Sequence, residues 1–187
     1  MRVIAGEWRA RRVDAPKGDL TRPTADRTRE TLFSMLTSRL GTFDGLHVAD
    51  LFAGSGALGI EALSRGAGHC LFIENDRRAL ETLRANLSDL GAIARSTIDR
   101  GSVMAMRPAR KPVDLILLDP PYRTGAGEVA LERLMRLGWI SDATWIALET
   151  AFNEEPDIKG LTVETTRKVG KARITLLQRD KADAIAS

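Results

Sequence analysis

From residue 46 to residue 150, short apolar runs alternate with longer amphipathic segments, and this alternation limits the possible folds more than any other feature. The apolar runs have the length of strands, and Gly66 and Gly91 end two of the helical segments between them. Strands that alternate with helices form parallel sheets through right-handed crossovers. We therefore predict an α/β fold with a doubly wound sheet. Its predicted strands cover 47–53, 69–74, about 93–98, 113–119 and 144–150, and predicted helices follow the first strand and cover 76–91 and 127–137.

The C-terminal segment departs from this alternation. The run LTVETTRKVGKARITLLQR predicts two strands joined by a turn around Gly170, and such a pair is antiparallel. The sheet is therefore expected to be mixed and seven-stranded, with an antiparallel C-terminal hairpin at its edge.

The N-terminal segment is a separate small unit in the sequence pattern. Residues 2–14 predict a hairpin or extended arm with Gly6 at its bend, and TRPTADRTRETLFSMLTSRL predicts a helix. Pro23 and Thr24 supply a breaker and a candidate N-cap for that helix. We expect one domain over 1–187, in which an N-terminal extension (1–42) precedes the core (43–187).

Charge is distributed unevenly along the chain. Residues 1–40 hold nine Lys and Arg against five Asp and Glu, a net charge of +4, whereas the whole chain carries only +3. A basic leader on a near-neutral body favours a polyanionic partner, although it also suits an ordinary solvated surface. The single cysteine, Cys70, cannot form an intramolecular disulfide, and no run has the apolar length of a membrane span. We expect a cytoplasmic monomer with no metal site.

A glycine-rich loop follows the first predicted strand. Gly54, Gly56 and Gly59 form G-x-G-x-x-G, and Glu74 stands at the end of the second strand. Bare backbone allows close approach of a ligand, and a carboxylate at Glu74 can hold two ribose hydroxyls. This pattern predicts a site for an adenosyl-ribose ligand, and by itself it leaves NAD and S-adenosylmethionine both open.

Three features favour S-adenosylmethionine. Asp50 precedes the loop, and its charge attracts a sulfonium and an α-ammonium but repels a pyrophosphate. About 45 residues of basic leader precede the first strand, and no second half-domain is visible for a hydride acceptor. Finally, Asp-Pro-Pro-Tyr (119–122) ends the fourth strand, at the edge where open α/β sheets bind ligands.

The Asp-Pro-Pro-Tyr run suits the methylation of an exocyclic amine on a base. Such an amine is a poor nucleophile, and the Asp119 carboxylate together with a backbone carbonyl, that of Pro120, can hold its hydrogens so that its lone pair faces the methyl group. Pro120 and Pro121 restrict the backbone and bring no competing N–H donor. Tyr122 offers a flat surface on which the base can stack.

The motifs RVIAGEWRAR, RPTADRTRETLF, DLFAGSGALGIEALSRGA, IEND and LLDPPY occur here in the order in which the RsmD family has them, and the chain resembles that family over nearly its whole length. Its members are bacterial methyltransferases that act on a guanine N2 (of the 966 type) of 16S ribosomal RNA in the small subunit. The resemblance implies a Rossmann-like class I methyltransferase fold, S-adenosyl-L-methionine as the methyl donor and 16S rRNA as the partner.

Candidate site residues fall into three groups. The candidate catalytic residues are Asp119, Pro120, Pro121 and Tyr122. The candidate donor-binding residues are Asp50, Phe52, Gly54, Ser55, Gly56, Gly59, Glu74 and Asn75. The candidates for contacts with RNA are Arg9, Arg11, Arg22, Thr24 and Arg27, of which the last three belong to the helix before the first strand and also suit the donor carboxylate. Ion pairs with Asp26 or Glu30 are an equally good reading for Arg22 and Arg27, and Trp8 is expected to pack against the arm rather than on RNA.

The chain departs from the family pattern in two places. Ala10 stands where many relatives have glycine, which affects the local turn. The run IDRGSVM lacks a clear Asp or Asn for the adenine amine, so Asp99 or Ser102 is the candidate substitute. Three other functions stay open: methylation of adenine N6 or cytosine N4 in DNA, a non-catalytic RNA-binding factor in ribosome assembly, and a nicotinamide-dependent oxidoreductase. The lack of a separate sequence-reading domain is an argument against the first of these.

Overall fold

The computed structural model describes residues 1–15 and 23–181, and for Pro23 and Thr24 it describes only the backbone. One seven-stranded sheet carries helices on both faces. The strands are β1 (His47–Leu51), β2 (His69–Ile73), β3 (Ser96–Asp99), β4 (Leu115–Leu118), β5 (Trp145–Ala151), β6 (Leu161–Val169) and β7 (Ala172–Arg179). The α-helices are α1 (Pro23–Leu40), α2 (Ala57–Ser64), α3 (Arg77–Asp89) and α4 (Ala126–Arg136), and short 3-10 helices cover Ile93–Arg95 and Val103–Ala105.

The strand order is β3-β2-β1-β4-β5-β7-β6. The first five strands are parallel, and β7 is antiparallel to both of its neighbours, β5 and β6. β4 is apolar at all four positions and fully buried, as expected for a central strand covered on both faces. The predicted mixed sheet with an antiparallel C-terminal hairpin is confirmed.

Two apolar clusters fill the two faces of the sheet. One cluster includes Leu32 and Leu36 of α1 and residues of α2 and α3, and the other includes Leu131 and Leu134 of α4. Residues of β1, β4 and β5 contribute alternately to the two clusters, as the period of a strand requires. Both faces of the central strands are therefore buried, which leaves only the strand ends open to a ligand.

The N-terminal arm (1–15) binds to α2 through its backbone. A carboxylate and a hydroxyl of α2 accept these bonds: Glu61 accepts the N–H groups of Ile4 and Ala5 at 2.8 and 3.1 Å, and Ser64 Oγ accepts that of Trp8 at 3.0 Å. Gly6 lies so close to α2 that a Cβ there would stand 1.8 Å from the Ser64 carbonyl oxygen. The arm is therefore a tightly packed part of the fold.

The predicted elements agree with the structure, with two corrections. The first half of the strand predicted over about 93–98 is the 3-10 helix Ile93–Arg95, and β3 begins only at Ser96. The arm makes a single bridge between Arg2 and Arg12, as a short hairpin should. Trp8 is 5% exposed and lies under the Arg95 guanidinium, so its packing role is confirmed. The prediction that Thr24 is an N-cap is wrong: α1 begins at Pro23, because proline suits the first turn of a helix, and Thr24 lies inside that turn.

Candidate active site

A cavity of about 970 Å³ opens at the carboxyl ends of β1 and β4. β1 lies in the middle of the parallel strands, with β2 on one side and β4 on the other, so the connections after β1 and β4 leave in opposite directions and open a crevice. The cavity is lined from both sides by the residues after these strands, among them Phe52, Gly54 and Ser55 from the first loop and Asp119 and Tyr122 from the second. The structure thus brings the two predicted motifs to one site.

The three glycines of the first loop are required for different reasons. A Cβ on Gly59 would stand 2.3 Å from the Phe72 ring, so Gly59 allows α2 to pack closely on β2. A Cβ on Gly56 would stand 2.3 Å from a Leu83 methyl group, so Gly56 allows α3 to pack closely against the loop. Gly54 has a φ of +55° and lines the cavity, and no atom lies within 4 Å of the position of its Cβ. Only Gly54 therefore faces the space that a ligand can occupy.

Asp50 and Glu74 hold the backbone near the glycine loop through hydrogen bonds. Asp50 is buried at the end of β1, and its Oδ2 accepts the Gly59 N–H at 2.8 Å. Burial raises the pKa of Asp50 well above its usual range; the Gly59 N–H opposes this, and the charges of Asp119 and Glu74 add to it. Glu74 Oε2 accepts the Gly54 N–H at 2.7 Å. Because both acids accept hydrogen bonds from the loop backbone, they fix the conformation of the loop.

Asn86 of α3 links this loop to the N-terminal arm. Its side-chain amide donates to the Ser55 carbonyl at 3.0 Å and to the Asp14 carbonyl at 2.9 Å, and its oxygen accepts the Asp14 N–H at 2.9 Å. Asn86 is buried, which is unusual for an asparagine and indicates that the fold requires its hydrogen bonds. The sequence analysis missed this residue.

The Asp-Pro-Pro-Tyr loop separates the large cavity from a second one of about 300 Å³. The Asp119 side chain is exposed to the cavity, although the protein around it partly desolvates the carboxyl group. This desolvation, and then the negative charge of Glu149, raise the pKa of Asp119 to about 7. Thr124 Oγ1 donates to the Pro121 carbonyl at 2.7 Å, and Pro120 packs beside Gly127 at the start of α4.

Glu149 of β5 is a second acid of this site that the sequence analysis missed. The register of β4 and β5 pairs Leu118 with Leu148, so Asp119 and Glu149 follow side by side on neighbouring strands. Tyr122 donates its hydroxyl to Glu149 Oε1 at 2.5 Å. Burial raises the pKa of Glu149, although the bond from Tyr122 opposes this; burial and Glu149 together raise the pKa of Tyr122, so the phenol keeps its proton. A carboxylate directly after the apolar run 145–148, within the same strand, was the available signal.

Backbone strain is concentrated at the cavity. Phe52 and Arg123 line it and have φ values of +60°, a region that side chains other than glycine rarely adopt. The Arg123 N–H is held by Glu154 Oε1 at 2.9 Å, and Glu154 Oε2 accepts the Ala151 N–H at 2.7 Å. The half-exposed ring of Phe152 also stands at the cavity, close in sequence to Ala151.

Arg29 of α1 brings a buried cation to the cavity wall. It is 6% exposed, its Nη2 contacts the Arg2 carbonyl at 2.6 Å and Asp26 at 3.1 Å, and its Nε is buried with no hydrogen-bond partner in the described part of the chain. Asp26 thus pairs with Arg29 rather than with Arg27. The helix that the sequence singled out does supply a cation to the cavity, Arg29, which was not among the predicted residues.

Several predicted site residues lie elsewhere. Four of the predicted donor-binding residues do not line the cavity: Gly56, Gly59, Glu74 and Asn75. The first three support the loop, whereas Asn75 is exposed and its N–H donates to Glu74 Oε1. Arg9, Arg11 and Arg27 are exposed on the arm and α1, and Arg11 donates to the Asp89 carbonyl at 2.8 Å. Arg22 lies outside the described residues, as does the side chain of Thr24.

The two candidates for the adenine contact differ in how they are used. Ser102 Oγ accepts the Met104 N–H at 3.2 Å and begins a 3-10 helix, so this hydroxyl has a local role. Asp99 is exposed at the end of β3, and β2 lies between β3 and the strand that the glycine loop follows, β1. Neither Asp99 nor Ser102 lines the cavity, so the adenine contact stays a prediction.

The sheet order, the glycine loop after β1, the acid after β2 and the Asp-Pro-Pro-Tyr loop after β4 define a class I methyltransferase. The family described as "Conserved hypothetical protein 95" matches residues 1–178, and the chain belongs to this family, the RsmD family. The membership predicted from the motifs is confirmed.

Relatives of the same kind cover most of the chain. "Ribosomal RNA small subunit methyltransferase D" of Escherichia coli is 37% identical over 80% of this chain and 74% of its own length. The protein of the same name from Haemophilus influenzae is 36% identical over 80% of this chain and 78% of its own length. Among solved structures, "Putative methyltransferase yhhF" from Escherichia coli superimposes with a TM-score of 0.84 at 32% identity, over 96% of this chain and 98% of that one.

Within the described residues, no helix is both long enough and apolar enough to span a bilayer.

Proposed function

We propose that the chain transfers a methyl group from S-adenosyl-L-methionine to the exocyclic N2 amine of a guanine in 16S rRNA, within the small ribosomal subunit. The observation that carries this proposal is that Asp119 and Tyr122 line the same cavity as Gly54 and Asp50. An amine of a base held at Asp119 and Tyr122 then faces a methyl donor bound at Gly54 and Asp50. The names of the relatives support rRNA as the substrate, and the position-966 assignment rests on the family resemblance alone.

The cavity suits the donor in size and charge. Its volume lies in the range of cofactor sites, and Gly54 leaves backbone open to a ligand. S-adenosylmethionine supplies a methyl group on a cationic sulfur. Asp50 is the acid for its positive charges, and the buried Arg29, whose Nε lacks a partner among the described residues, is the cation for its carboxylate. Burying Arg29 without a full set of acceptors costs stability, and a bound carboxylate offsets that cost.

Asp119 and Tyr122 are the residues that act on the base. The ionised Asp119 carboxylate accepts a hydrogen of the amine and aligns its lone pair for in-line displacement. Because its pKa is raised to about 7, Asp119 also accepts the proton that the methylated amine releases. Tyr122 and Phe152 are half-exposed aromatic rings at the cavity and are available for stacking on an extruded base.

Exposed arginines of the arm and α1 are the candidates for contacts with the surrounding phosphates. Arg9, Arg11 and Arg27 are all exposed, and the arm that bears two of them is fixed on α2. Phosphate contacts of this kind weaken steeply as salt rises. A substrate of this kind also implies a cytoplasmic protein, and the monomeric state stays a prediction.

The test is methyl transfer from labelled S-adenosylmethionine to unmodified small subunits, free 16S rRNA and duplex DNA, followed by nucleoside analysis. N2-methylguanosine in the subunits supports the proposal. Label in N6-methyladenine or N4-methylcytosine of DNA refutes the substrate and keeps the chemistry. No label in any of the three, with an Asp119→Ala variant that still supports subunit assembly in cells, favours a non-catalytic assembly factor.

A further inference from the structure

Glu149 is a second carboxylic acid beside Asp119 at the cavity wall, whereas the methyl transfer described above uses only Asp119 there. It is the neighbour of Asp119 across the β4–β5 pair, and the charge of Glu149 is one of the two causes that raise the pKa of Asp119. Two carboxylates side by side repel each other, and this repulsion is relieved when one of them takes up a proton or when hydrogen-bond donors approach both. A ligand that presents more than one donor therefore suits this pair of acids.

The Tyr122 hydroxyl supplies one such donor in the structure. It binds Glu149 Oε1 at 2.5 Å, and Tyr122 also lines both cavities. This bond ties the ring to Glu149, so a base that stacks on Tyr122 has its edge directed toward the acids of the wall. An ionised carboxylate can only accept hydrogen bonds, so the two acids select a base edge rich in donors.

The hydrogen-bonding edges of the bases differ at the atom beside the amine. In guanine the N2 amine is next to N1–H, a second donor. In adenine the N6 amine is next to N1, and in cytosine the N4 amine is next to N3, and both of these are acceptors. An ionised carboxylate beside Asp119 therefore attracts guanine and repels adenine and cytosine, and enzymes read extruded bases by this edge.

We propose that Glu149 determines base specificity: its carboxylate accepts the N1–H of the target guanine while Asp119 accepts a hydrogen of the adjacent N2 amine. This inference rests on the proposed function, since it assigns the base-reading role within that same site. It also gives a physical reason why a chain with Asp-Pro-Pro-Tyr acts on guanine and not on adenine or cytosine, which carry similar amines.

The test compares guanine with 2-aminopurine at the methylated position of 16S rRNA. 2-Aminopurine keeps the reactive amine, but its N1 is an acceptor. Wild-type enzyme should prefer guanine by about a hundredfold in kcat/KM, the range expected when a charge-assisted hydrogen bond is lost. The Glu149→Gln variant can donate its amide N–H to N1 of 2-aminopurine, so the preference should fall by about tenfold or more. Because both substrates are compared on one variant, a reduced fraction of folded enzyme cancels.

Glu154→Gln is the matched control. Glu154 accepts the Arg123 and Ala151 N–H groups, so the change to Gln disturbs the same loop. It leaves in place the carboxylates that are proposed to bind the base. Its guanine preference should equal that of wild type. If Glu149→Gln keeps the wild-type preference, or if Glu154→Gln loses it equally, Glu149 has only a structural role.

A binding measurement covers the case of a Glu149→Gln variant that is too slow to assay. The fluorescence of 2-aminopurine in the substituted RNA, titrated with enzyme in the presence of S-adenosylhomocysteine, should give a lower Kd for Glu149→Gln than for wild type. The opposite order overturns the inference. Failure of the proposed function is a different result: wild-type enzyme then forms no N2-methylguanosine in small-subunit RNA at all.

Discussion

Replacing Gly54 by alanine separates the two reasons for which a glycine can occur in the loop. The Cβ that this replacement adds would meet no atom within 4 Å, so no steric clash opposes it inside the protein. A φ of +55° still costs an alanine about 1–2 kcal/mol, and reduced freedom of the unfolded chain offsets part of this. We expect a net loss of about 1 kcal/mol, which lowers Tm by about 2–4 °C in a chain of this size.

The same methyl group stands where a ligand would approach the backbone. Gly54 lines the large cavity, so Gly54→Ala should weaken binding of S-adenosylmethionine by about tenfold or more, equivalent to about 1.4 kcal/mol. Gly91 is the control, since it has a φ of +68° and an equally open Cβ position after α3, and it does not line the cavity. Thermal unfolding and calorimetric titration of both variants test this. Equal donor affinity in Gly54→Ala and Gly91→Ala would refute the reasoning.

Three further changes have defined outcomes. Asp119→Asn should lower kcat by about 10²–10⁴, with donor affinity retained. The pKa of Asp119 in the folded state is raised to about 7 from an ordinary 3.8, so ionisation of Asp119 destabilises the folded wild-type protein. The Tm of Asp119→Asn should therefore rise relative to that of wild type between about pH 4 and pH 7, and the difference should stay constant above pH 7. Ala10→Gly removes the strain of a φ of +66° and should raise the free energy of unfolding by about 0.5–1 kcal/mol in denaturant titration, and an unchanged value would contradict this. Asn86→Ala removes hydrogen bonds to Asp14 and Ser55 and should lower the free energy of unfolding by about 2–4 kcal/mol. Amide hydrogen exchange in residues 1–14 should become faster, and exchange at the wild-type rate would mean that Asn86 does not hold the arm.

Most of the fold was predictable because its signals are local. Strand length, helical periodicity and glycines such as Gly66 and Gly91 mark each element within a window of about 15 residues. Alternation of strands and helices then leaves few topologies, and right-handed crossovers select among them. The N-cap prediction at Thr24 was wrong because a proline and a threonine in succession supply two competing start signals, and the helix begins at the proline.

The candidate site was predictable where one short segment carries both the backbone geometry and the chemistry. The glycine loop and Asp119–Tyr122 are of this kind, and the structure brings them to one cavity. Their roles in binding and catalysis stay predictions, which the measurements above test.

Other residues of the site depend on contacts between distant segments. Glu149 matters because the β4–β5 register sets it beside Asp119, and Arg29 matters because the arm and α1 bury it at the cavity wall. Neither position has a local pattern that distinguishes it from an ordinary surface charge, except that Glu149 directly follows the apolar run 145–148 within β5.

The sequence by itself determined the order of elements, the family and the two motifs, since each is encoded by residues close together in the chain. Tertiary structure decided which of the many acids and arginines meet at one cavity. Desolvation and like-charge repulsion, which raise the pKa of Asp119, exist only after β4 and β5 have paired and the cavity walls have closed around the site.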